Sequence, residues 1–414
     1  MVYQSLVGLA VFVFGAWCIS EKRGLFPWRI VLLGLPVQVL LALLLLKVPG
    51  TTDLFFVLNQ AVLALEESTQ EGTSFVFGYI GGGDPPFEVK DPEATFIFAF
   101  QALPLVLVIS ALSAVLFYWR IIPKIVGAFS WLLRRGFRLG GAEGLGVSAN
   151  IFVGMVESPL LIRPYVAKMT RSELFALMTA GMATIAGTVM VLYASILRDV
   201  VPNVIGHILT ASIISVPAAI IIAKIMIPET KKVTSAELTE PEPSQSTMDA
   251  LTRGTISGIE VVLNIVGMII VMVALVHLVN ITLGLLPEVY GAPLALERIL
   301  GWVMAPVVWL IGVPWNEATT AGSLLGIKTV LNELIAYMEL TQLPEESLSQ
   351  RSILIMSYAL CGFANPGSLG IMIGGLGAVA PERRTEIVSL GLKSIVAGTM
   401  ATCMTGAVVS LIHW

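Results

Sequence analysis

Charged residues are scarce in this 414-residue chain. Asp, Glu, Lys and Arg make up only 13% of it, about half the share of a typical soluble domain, whereas hydrophobic residues make up 56%. So little charge cannot cover a water-facing surface, and we therefore predict a polytopic membrane protein. The 24 basic and 28 acidic residues give no excess of positive charge, so we expect no nucleic-acid partner.

Cysteine and histidine are also rare. Cys18, Cys361 and Cys403 lie in apolar surroundings and have neither paired nor metal-ligand spacing, which predicts small buried side chains. The histidines have no acidic or cysteine partner at ligand spacing. A hydrolase within the membrane would need an activated nucleophile or a metal site, and the sequence has no Ser–His, Asp-pair or HExxH arrangement. We predict that the chain is not an enzyme and binds no organic cofactor.

Long hydrophobic runs, in contrast, are frequent. A membrane-spanning helix needs about 20 mostly apolar residues. Eight segments meet this requirement: 3–20, 28–48, 94–119, 172–197, 202–226, 257–284, 352–376 and 386–411. The first lacks a basic start and a small-residue cleavage site, so we interpret it as a retained helix and not as a signal peptide.

Basic residues indicate how these helices are oriented. Clusters follow the first, third and fifth helices and precede the eighth: Lys22, Arg23, Arg29, Arg120, Lys124, Arg134, Arg135, Arg138, Lys224, Lys231, Lys232, Arg383 and Arg384. With eight crossings all of them fall on one side, which we predict to be the cytoplasm, and both termini then lie outside. The expected location is the plasma (inner) membrane of a bacterium.

Two further apolar pieces, 146–162 and 299–327, are interrupted near their middle, by Gly154 and Pro159 in the first and by Gly312 and Pro314 in the second. If either crossed the membrane fully, basic clusters would change sides. A re-entrant hairpin, which enters and leaves on one face, satisfies both observations. We predict two such hairpins of opposite orientation, the first entering from the cytoplasm and the second from outside.

The segments after the hairpins carry matching interruptions, "AGMATIAGT" at 180–188 and "CGFANPGS" at 361–368. Unwound backbone inside a membrane must be satisfied by protein or by a wet cavity, so hairpin tips and breaks are expected to converge. Interrupted helices at corresponding places in two oppositely inserted halves are typical of a secondary transporter with a central binding site. Two closed hairpin tips favour occlusion of the solute over an open channel.

The predicted fold class is thus an all-α polytopic membrane protein with eight spanning helices, two re-entrant hairpins and a broken helix after each. The polar, proline-containing segment 229–250 predicts a flexible cytoplasmic linker. The full division is 1–52 (scaffold helices), 53–93 (interfacial helix and external loop), 94–140 (third scaffold helix), 141–228 (first transport repeat), 229–250 (linker), 251–297 (sixth helix, scaffold) and 298–414 (second transport repeat).

Three carboxylates lie within or beside the predicted hairpins. Glu157 and Glu317 are each the only charged residue in an apolar stretch, and burial of an acid in a membrane costs about 2.5–3.5 kcal/mol, so a functional role is the default hypothesis. The alternatives are an ion pair of Glu157 with Arg163 and a structural cap for Glu317. Glu333 either pairs locally with Lys328 on one helix or accepts hydrogen bonds from solute hydroxyls.

Several motifs resemble those of the concentrative nucleoside transporter family. Residues Gly326 to Tyr337, "GIKTVLNELIAY", are similar to the family signature, and "EGTSFVFG", "NIFVG", "SELFA", "GVPWNEAT" and "ALCGFAN" are similar to other family blocks. The resemblance covers roughly residues 70 to 410. It implies a homotrimer in the lipid bilayer, with a scaffold and a mobile transport region that contains both hairpins and carries a nucleoside across.

The resemblance also implies site residues, matched position by position. The nucleobase side is implied to be Met155, Val156, Glu157 and Val189; the ribose side Glu333, Asn365 and Ser368, with Phe363 as a neighbouring aromatic residue; and the sodium site Asn150, Thr184 and the carbonyls of Val153 and Ile185. Proton-coupled relatives lack the asparagine, so its presence favours sodium as the coupling ion.

Two departures from the family pattern bear on the solute. Many members have Gln and then Thr or Ser before the hairpin glutamate, whereas this chain has Met155 and Val156. A pyrimidine edge would lose hydrogen-bond partners here at a cost of ~1–3 kcal/mol, while methionine can cover the larger face of a purine. The sequence therefore predicts sodium-coupled symport with a preference for purine nucleosides. The alternative is a proton-coupled symporter with broad or pyrimidine selectivity.

Overall fold

The computed structural model describes residues 2–89, 95–155, 157–235, 244–289 and 291–412, and within these ranges the chain is all-α, without a β-strand. Val156 lies outside the described residues, as does the side chain of Glu157. The fold class predicted from the composition and the hydrophobic runs is confirmed.

Among its described residues, the amino-terminal part contains six α-helices: α1 (Val2–Cys18), α2 (Trp28–Lys47), α3 (Pro49–Phe77), α4 (Phe98–Gln101), α5 (Leu105–Tyr118) and α6 (Ile121–Phe137). The helix predicted at 53–70 is longer at both ends. The predicted span 94–119 is divided before α5, where Pro104, which lacks an N–H, is the N-cap. No helix was predicted where α6 lies. This helix buries an apolar stripe of Ile122, Val126, Leu133 and Phe137.

The first predicted hairpin is a helix–turn–helix. α7 (Gly141–Asn150) and α8 (Glu157–Leu161) pack against each other, and the Ser158 hydroxyl donates to the Gly146 carbonyl at 2.8 Å. The turn between them needs glycine, because Gly154 has a φ of +90°. The first arm starts five residues earlier than predicted. A single turn, α9 (Arg163–Val166), then leads to the next long segment.

That segment is the first broken helix. α10 (Arg171–Ala183) is followed by its C-cap Thr184, and α11 (Gly187–Leu197) starts three residues after that cap, so the interruption predicted between 172 and 197 is confirmed. The next helix, α12 (Val204–Met226), is continuous. α13 (Thr247–Leu283) begins within the segment predicted to be linker, because the Ser246 hydroxyl accepts from the Asp249 N–H and caps it.

The second predicted hairpin consists of α14 (Leu296–Leu310) and α15 (Ala318–Val330), which turn at Gly312, where φ is +111°. The two arms pack closely because glycines face each other across them. A Cβ added to Gly322 would lie 2.6 Å from the Gly301 carbonyl oxygen, so no larger residue fits at this position.

The carboxyl-terminal part contains the second broken helix. α17 (Gln350–Ala359) and α18 (Pro366–Val379) are separated by six non-helical residues, as predicted. This part also contains α16 (Glu333–Gln342), which comes before α17, and α19 (Arg384–Ile412). α12, the α10–α11 segment and α19 form the centre: 89%, 83% and 78% of the residues in an 18-residue apolar stretch of each are buried. In the corresponding stretch of α13 the share is 0%, so this helix lies at the periphery.

Six helices in the described ranges are long and apolar enough to span a membrane, and Tyr3–Cys18 and Pro366–Val379 are shorter apolar helices. The number of crossings and the opposite orientation of the hairpins remain predictions. Cys361 and Cys403 are buried as expected, but Cys18 is only half-buried.

Three of the predicted basic clusters meet at one end of the molecule. Lys22, Lys231 and Arg383 line a shared cavity of about 580 Å³. Nearby, Glu21 binds Arg171 at 2.9 Å and Lys393 at 2.7 Å. The hydrogen bond from Arg171, assisted by Lys393, lowers the pKa of Glu21 to about 2 against the opposing effect of burial. This shared end is consistent with the inference that the clusters lie on the same side.

Candidate functional site

The turn of the first hairpin and the two helix breaks contact one another in the interior. Gly187, at the first break, donates its N–H to the Phe152 carbonyl at 3.2 Å. Gly362, at the second break, has a φ of +151°, and a Cβ placed there would lie 2.8 Å from the Met182 carbonyl oxygen. The first hairpin turn and the two breaks therefore converge, as expected from the cost of unwound backbone in a membrane. For the second predicted hairpin the expectation was wrong: its turn at Gly312 lies against Ser5 and Ser410, and the turn between α15 and α16 reaches this place instead.

A cavity of about 280 Å³ opens where these elements meet. Its walls combine residues of the first hairpin, both broken helices, α13 and the start of α16. Six of the eight predicted solute-contacting residues line it: Met155, Val189, Glu333, Phe363, Asn365 and Ser368. Of the other two, Val156 is not among the described residues, and for Glu157 the structure describes only the backbone at the start of α8.

Glu333 is the most tightly held carboxylate of the cavity. Only 3% of the residue is exposed. One of its oxygens accepts from the Tyr193 hydroxyl at 2.5 Å, and the other accepts from Asn365 Nδ2 at 2.9 Å. The array continues through Asn365 Oδ1, which accepts from the Ser368 N–H at 2.8 Å and caps α18. An acceptor-rich group is thus fixed in place by neighbours from two other helices.

The local pair between Glu333 and Lys328, which was one of our two hypotheses, is wrong. The helix stops at Val330, and α16 starts anew at Glu333 with Asn332 as its cap, so the two residues do not share a helix. Lys328 Nζ instead donates to the Ala359 carbonyl and to Thr402 Oγ1, both at 2.8 Å. This buried ammonium thus provides a hydrogen-bond donor for the last carbonyl of α17, just before the second break.

Glu317 makes a structural contact, although its side chain does not cap its own turn as the alternative had supposed. It lies at the start of α15, and one of its oxygens accepts from the N–H and the hydroxyl of Ser349, both at 3.1 Å. Glu317 therefore ties the second hairpin to the start of α17. It is not among the residues that line the cavity.

The residues implied for sodium lie at the first hairpin and the first break. Asn150 and Thr184 are both buried, and Thr184 Oγ1 donates to the Ala180 carbonyl at 2.9 Å. Asn150 Nδ2 donates to the Leu177 carbonyl at 3.4 Å, but its Oδ1 has no hydrogen-bond partner in the described part of the chain. A buried oxygen without a donor is costly unless a cation or a water approaches it. Asn150 therefore fits a site for a hard cation, which prefers such ligands.

Sequence reasoning missed two contributions to the cavity. Tyr193 is fully enclosed and resembles many other tyrosines in apolar helices, so nothing in the sequence distinguishes it. α13 contributes Ser257, Glu260 and Asn264. Here a signal was available, because Glu260 is the only Asp, Glu, Lys or Arg between Arg253 and Glu288.

A hairpin turn, two broken helices and the turn between α15 and α16 around a polar cavity define the class of the protein as a membrane transporter. Comparison with known proteins gives the family. The family described as "Na+ dependent nucleoside transporter" matches with its carboxyl-terminal part at residues 207–410 and its amino-terminal part at 7–80, and a family described as "Nucleoside recognition" matches residues 99–199.

Relatives match this chain over almost its whole length. The chain is 37% identical to the transporter YutK of Bacillus subtilis, with 99% of each chain covered. It is 32% identical to the nucleoside permease NupC of Helicobacter pylori, with 99% and 98% covered. Human solute carrier family 28 member 3 is 35% identical over 99% of this chain and 59% of its own length.

A solved structure of CNTnw in an inward-facing substrate-bound state is similar to the fold, with a TM-score of 0.91, 34% identity and 99% and 98% of the two chains covered. The chain therefore belongs to the concentrative nucleoside transporter family, and it is a membrane transporter and not an enzyme.

Proposed function

We propose that this chain is a sodium-coupled symporter that carries nucleosides into the cell by alternating access and prefers purine nucleosides. The array of Tyr193, Glu333 and Asn365 carries the proposal. It presents a buried carboxylate and an amide to the cavity at a fixed separation, and these groups can accept from and donate to vicinal hydroxyls. A free nucleobase lacks these hydroxyls, so the array would discriminate nucleosides from bases.

The base would lie against the opposite, apolar part of the wall. Met155 and Val189 are buried there and offer no hydrogen-bonding group to a pyrimidine edge, and Phe363 adds an aromatic face. This surface favours a flat bicyclic ring, which makes many dispersion contacts, over a smaller and more polar ring, which makes fewer. We also assign Val156 and Glu157 to this side, on the basis of the family resemblance.

Sodium would bind as a co-transported ion at Asn150 and Thr184, together with the carbonyls of Val153 and Ile185. The unpartnered Oδ1 of Asn150 supports this assignment. Because the same turn connects Asn150 to Met155, an ion held there would stabilise the conformation of the hairpin that also contacts the solute. Coupling would then arise because the ion and the solute favour one conformation.

The assembly and orientation of the protein belong to the same proposal. On the family resemblance we propose a homotrimer in the plasma membrane, with the basic end in the cytoplasm and both termini outside. α13 exposes an apolar surface along its length that a bilayer or a second subunit would cover. Cross-linking of the purified protein in detergent should give a trimer; a species that stays monomeric would contradict the assembly.

Uptake by proteoliposomes tests the function. Labelled adenosine should accumulate when sodium is high outside, and unlabelled inosine should compete better than uridine. Glu333→Ala should reduce uptake at least a hundredfold, since a charged hydrogen-bonding group contributes about 1.5–3 kcal/mol per contact and two hydroxyls lose their acceptor. Glu339→Ala is the matched control, because Glu339 lies on the same helix but is exposed.

Each part of the proposal has an outcome that contradicts it. Undiminished uptake by Glu333→Ala would refute the ribose assignment. Uptake that ignores sodium and follows a pH gradient would favour proton coupling. Equal or better competition by uridine would refute the purine preference.

A further inference from the structure

α13 places a carboxylate in the cavity wall that the proposed binding array does not use. Glu260 is the only formally charged residue in the 34 positions between Arg253 and Glu288, where the sequence is otherwise almost entirely apolar. It lines the cavity together with Ser257 and Asn264. These positions are three and four residues apart, so they form one polar stripe along a helix face.

The neighbouring face of the same helix is fixed by packing. A Cβ added to Gly258 would lie 3.0 Å from Leu107 Cα, and one added to Gly254 would lie 2.8 Å from Ala111 Cα, so α13 rests closely on α5 there. The stripe is therefore held towards the cavity by the glycine contact. Ser257, Glu260 and Asn264 are exposed in the single chain, and so is Leu263, which does not line the cavity.

Glu260 has no ion pair and no hydrogen bond with any described residue, in contrast to Glu333, whose two oxygens are both engaged. A carboxylate on an apolar membrane helix is costly unless it faces water or a partner, so such a residue indicates a functional site. Because none of the described residues donates to Glu260, both of its oxygens remain available to donors of a molecule in the cavity.

The stripe lies towards one end of the cavity. Met268 of α13 reaches Gly367, beside the Asn365 array, with its Cε 2.8 Å from the position of an added Cβ. Glu260 precedes Met268 by eight residues, about 12 Å along the helix axis at 1.5 Å per residue. It therefore lies nearer the start of α13, where Thr247 accepts from Trp119 Nε1 at 3.3 Å beside the basic helix α6.

We propose that Ser257, Glu260 and Asn264 form a second nucleoside subsite, on the path between the binding array and the cytoplasm. Glu260 accepts hydrogen bonds from solute donors as they leave Glu333 and Asn365, so that the solute moves towards the cytoplasm without losing all its partners at once. The donors are the ribose hydroxyls, which all nucleosides share. This inference rests on the proposed nucleoside transport and on the cytoplasmic placement of the basic end.

Membrane vesicles of both orientations test the proposal, with sodium supplied from the side of the solute. In inside-out vesicles, where solute is added to the cytoplasmic face, Glu260→Gln should raise the half-saturating adenosine concentration about fivefold and Glu260→Leu at least tenfold. In right-side-out vesicles the change should stay below twofold. Inosine should show the same shifts as adenosine, because it lacks the exocyclic amine but keeps the ribose.

Glu288→Gln is the matched control, since it removes the same charge from an exposed position beyond the end of α13. The unfolding temperature of both Glu260 variants should equal that of the wild type, because Glu260 has no partner in the described chain to lose. Equal shifts in both vesicle types together with a lower unfolding temperature would indicate a structural role and overturn the proposal.

Three other results would also overturn it. An unchanged half-saturating concentration in both orientations would show that Glu260 does not bind the solute. A change confined to right-side-out vesicles would place the subsite on the outer side of the binding array, not on the cytoplasmic side. A shift with adenosine but not with inosine would assign Glu260 to the amine and not to the hydroxyls. If the wild type transported no nucleoside from either side while sealed vesicles were confirmed, the proposed function itself would fail, and this inference with it.

Discussion

The contact between the two helix breaks can be tested at a single glycine. Gly362 has a φ of +151°, and an added Cβ would lie 2.8 Å from the Met182 carbonyl oxygen, 2.9 Å from Thr402 Cγ2 and 3.1 Å from the Ala183 carbonyl carbon. Two of these three atoms belong to the backbone at the first break, which cannot rotate away as a side chain could. Gly362→Ala should therefore push the two breaks apart.

The expected cost has two parts. A residue with a side chain held in this region of φ costs about 1–3 kcal/mol. Overpacking of a tight interior by one methyl group adds about 1–3 kcal/mol. Gly362→Ala should thus lower the free energy of unfolding by roughly 2–6 kcal/mol and, because the breaks form the cavity wall, it should also weaken nucleoside binding.

Thermal unfolding and nucleoside binding of the purified protein provide the assay. Gly374→Ala is the control, because Gly374 lies within α18 and an added Cβ meets nothing within 4 Å. That substitution should be neutral or stabilise the helix by about 0.5–1 kcal/mol. If Gly362→Ala unfolded at the same temperature as Gly374→Ala and bound adenosine equally well, the breaks would not be in contact and the cavity would have to be built differently.

Two further predictions concern charged groups away from the cavity. Glu143 and Lys224 form a buried pair at 2.8 Å, so Glu143→Leu should destabilise the protein by about 3–5 kcal/mol because it leaves the Lys224 charge unpaired. In a thermal unfolding assay, adding Lys224→Met should recover most of this loss. Additive losses from the two substitutions would contradict the prediction. Glu21, whose pKa lies at about 2 and below its ordinary 4.5, contributes stability that is present above pH 4.5 and is lost as the pH falls through 2. The advantage of the wild type over Glu21→Gln, about 1 kcal/mol at pH 7, should therefore shrink over this range, and an advantage that stays constant down to pH 2 would refute the assignment.

The interruptions of the fold could be predicted because glycine and proline have local consequences. Gly154 and Gly312 occupy turns with positive φ, and Pro366 starts α18 directly after the second break. Each of these residues limits the backbone wherever it occurs, so the sequence alone indicates where a helix ends. The two hairpins and both broken helices follow from such limits.

Other features depend on distant partners and could not be read from the sequence. The spacing of Lys328 and Glu333 suits a pair on one helix, but the distant carbonyl of Ala359 needs a donor, and Lys328 is directed there. The Asn332 cap restarts the helix between the two residues. Local spacing was a poor guide here because a buried polar group is satisfied by whichever partner the tertiary packing supplies.

The same reasoning explains why the cavity residues were found unevenly. Asn365 lies at the second helix break, which the sequence indicates, and its side chain also binds Glu333. The residue that the break identifies is therefore also a residue of the binding array. Tyr193 lies within α11, six residues after the first break, and Glu260 lies within the continuous α13. Both reach the cavity only because these helices are placed beside it. Helix breaks in the sequence therefore predict the residues that line a transporter site beside unwound backbone. Residues that line the site from within a helix can be identified only once the packing of the helices is known.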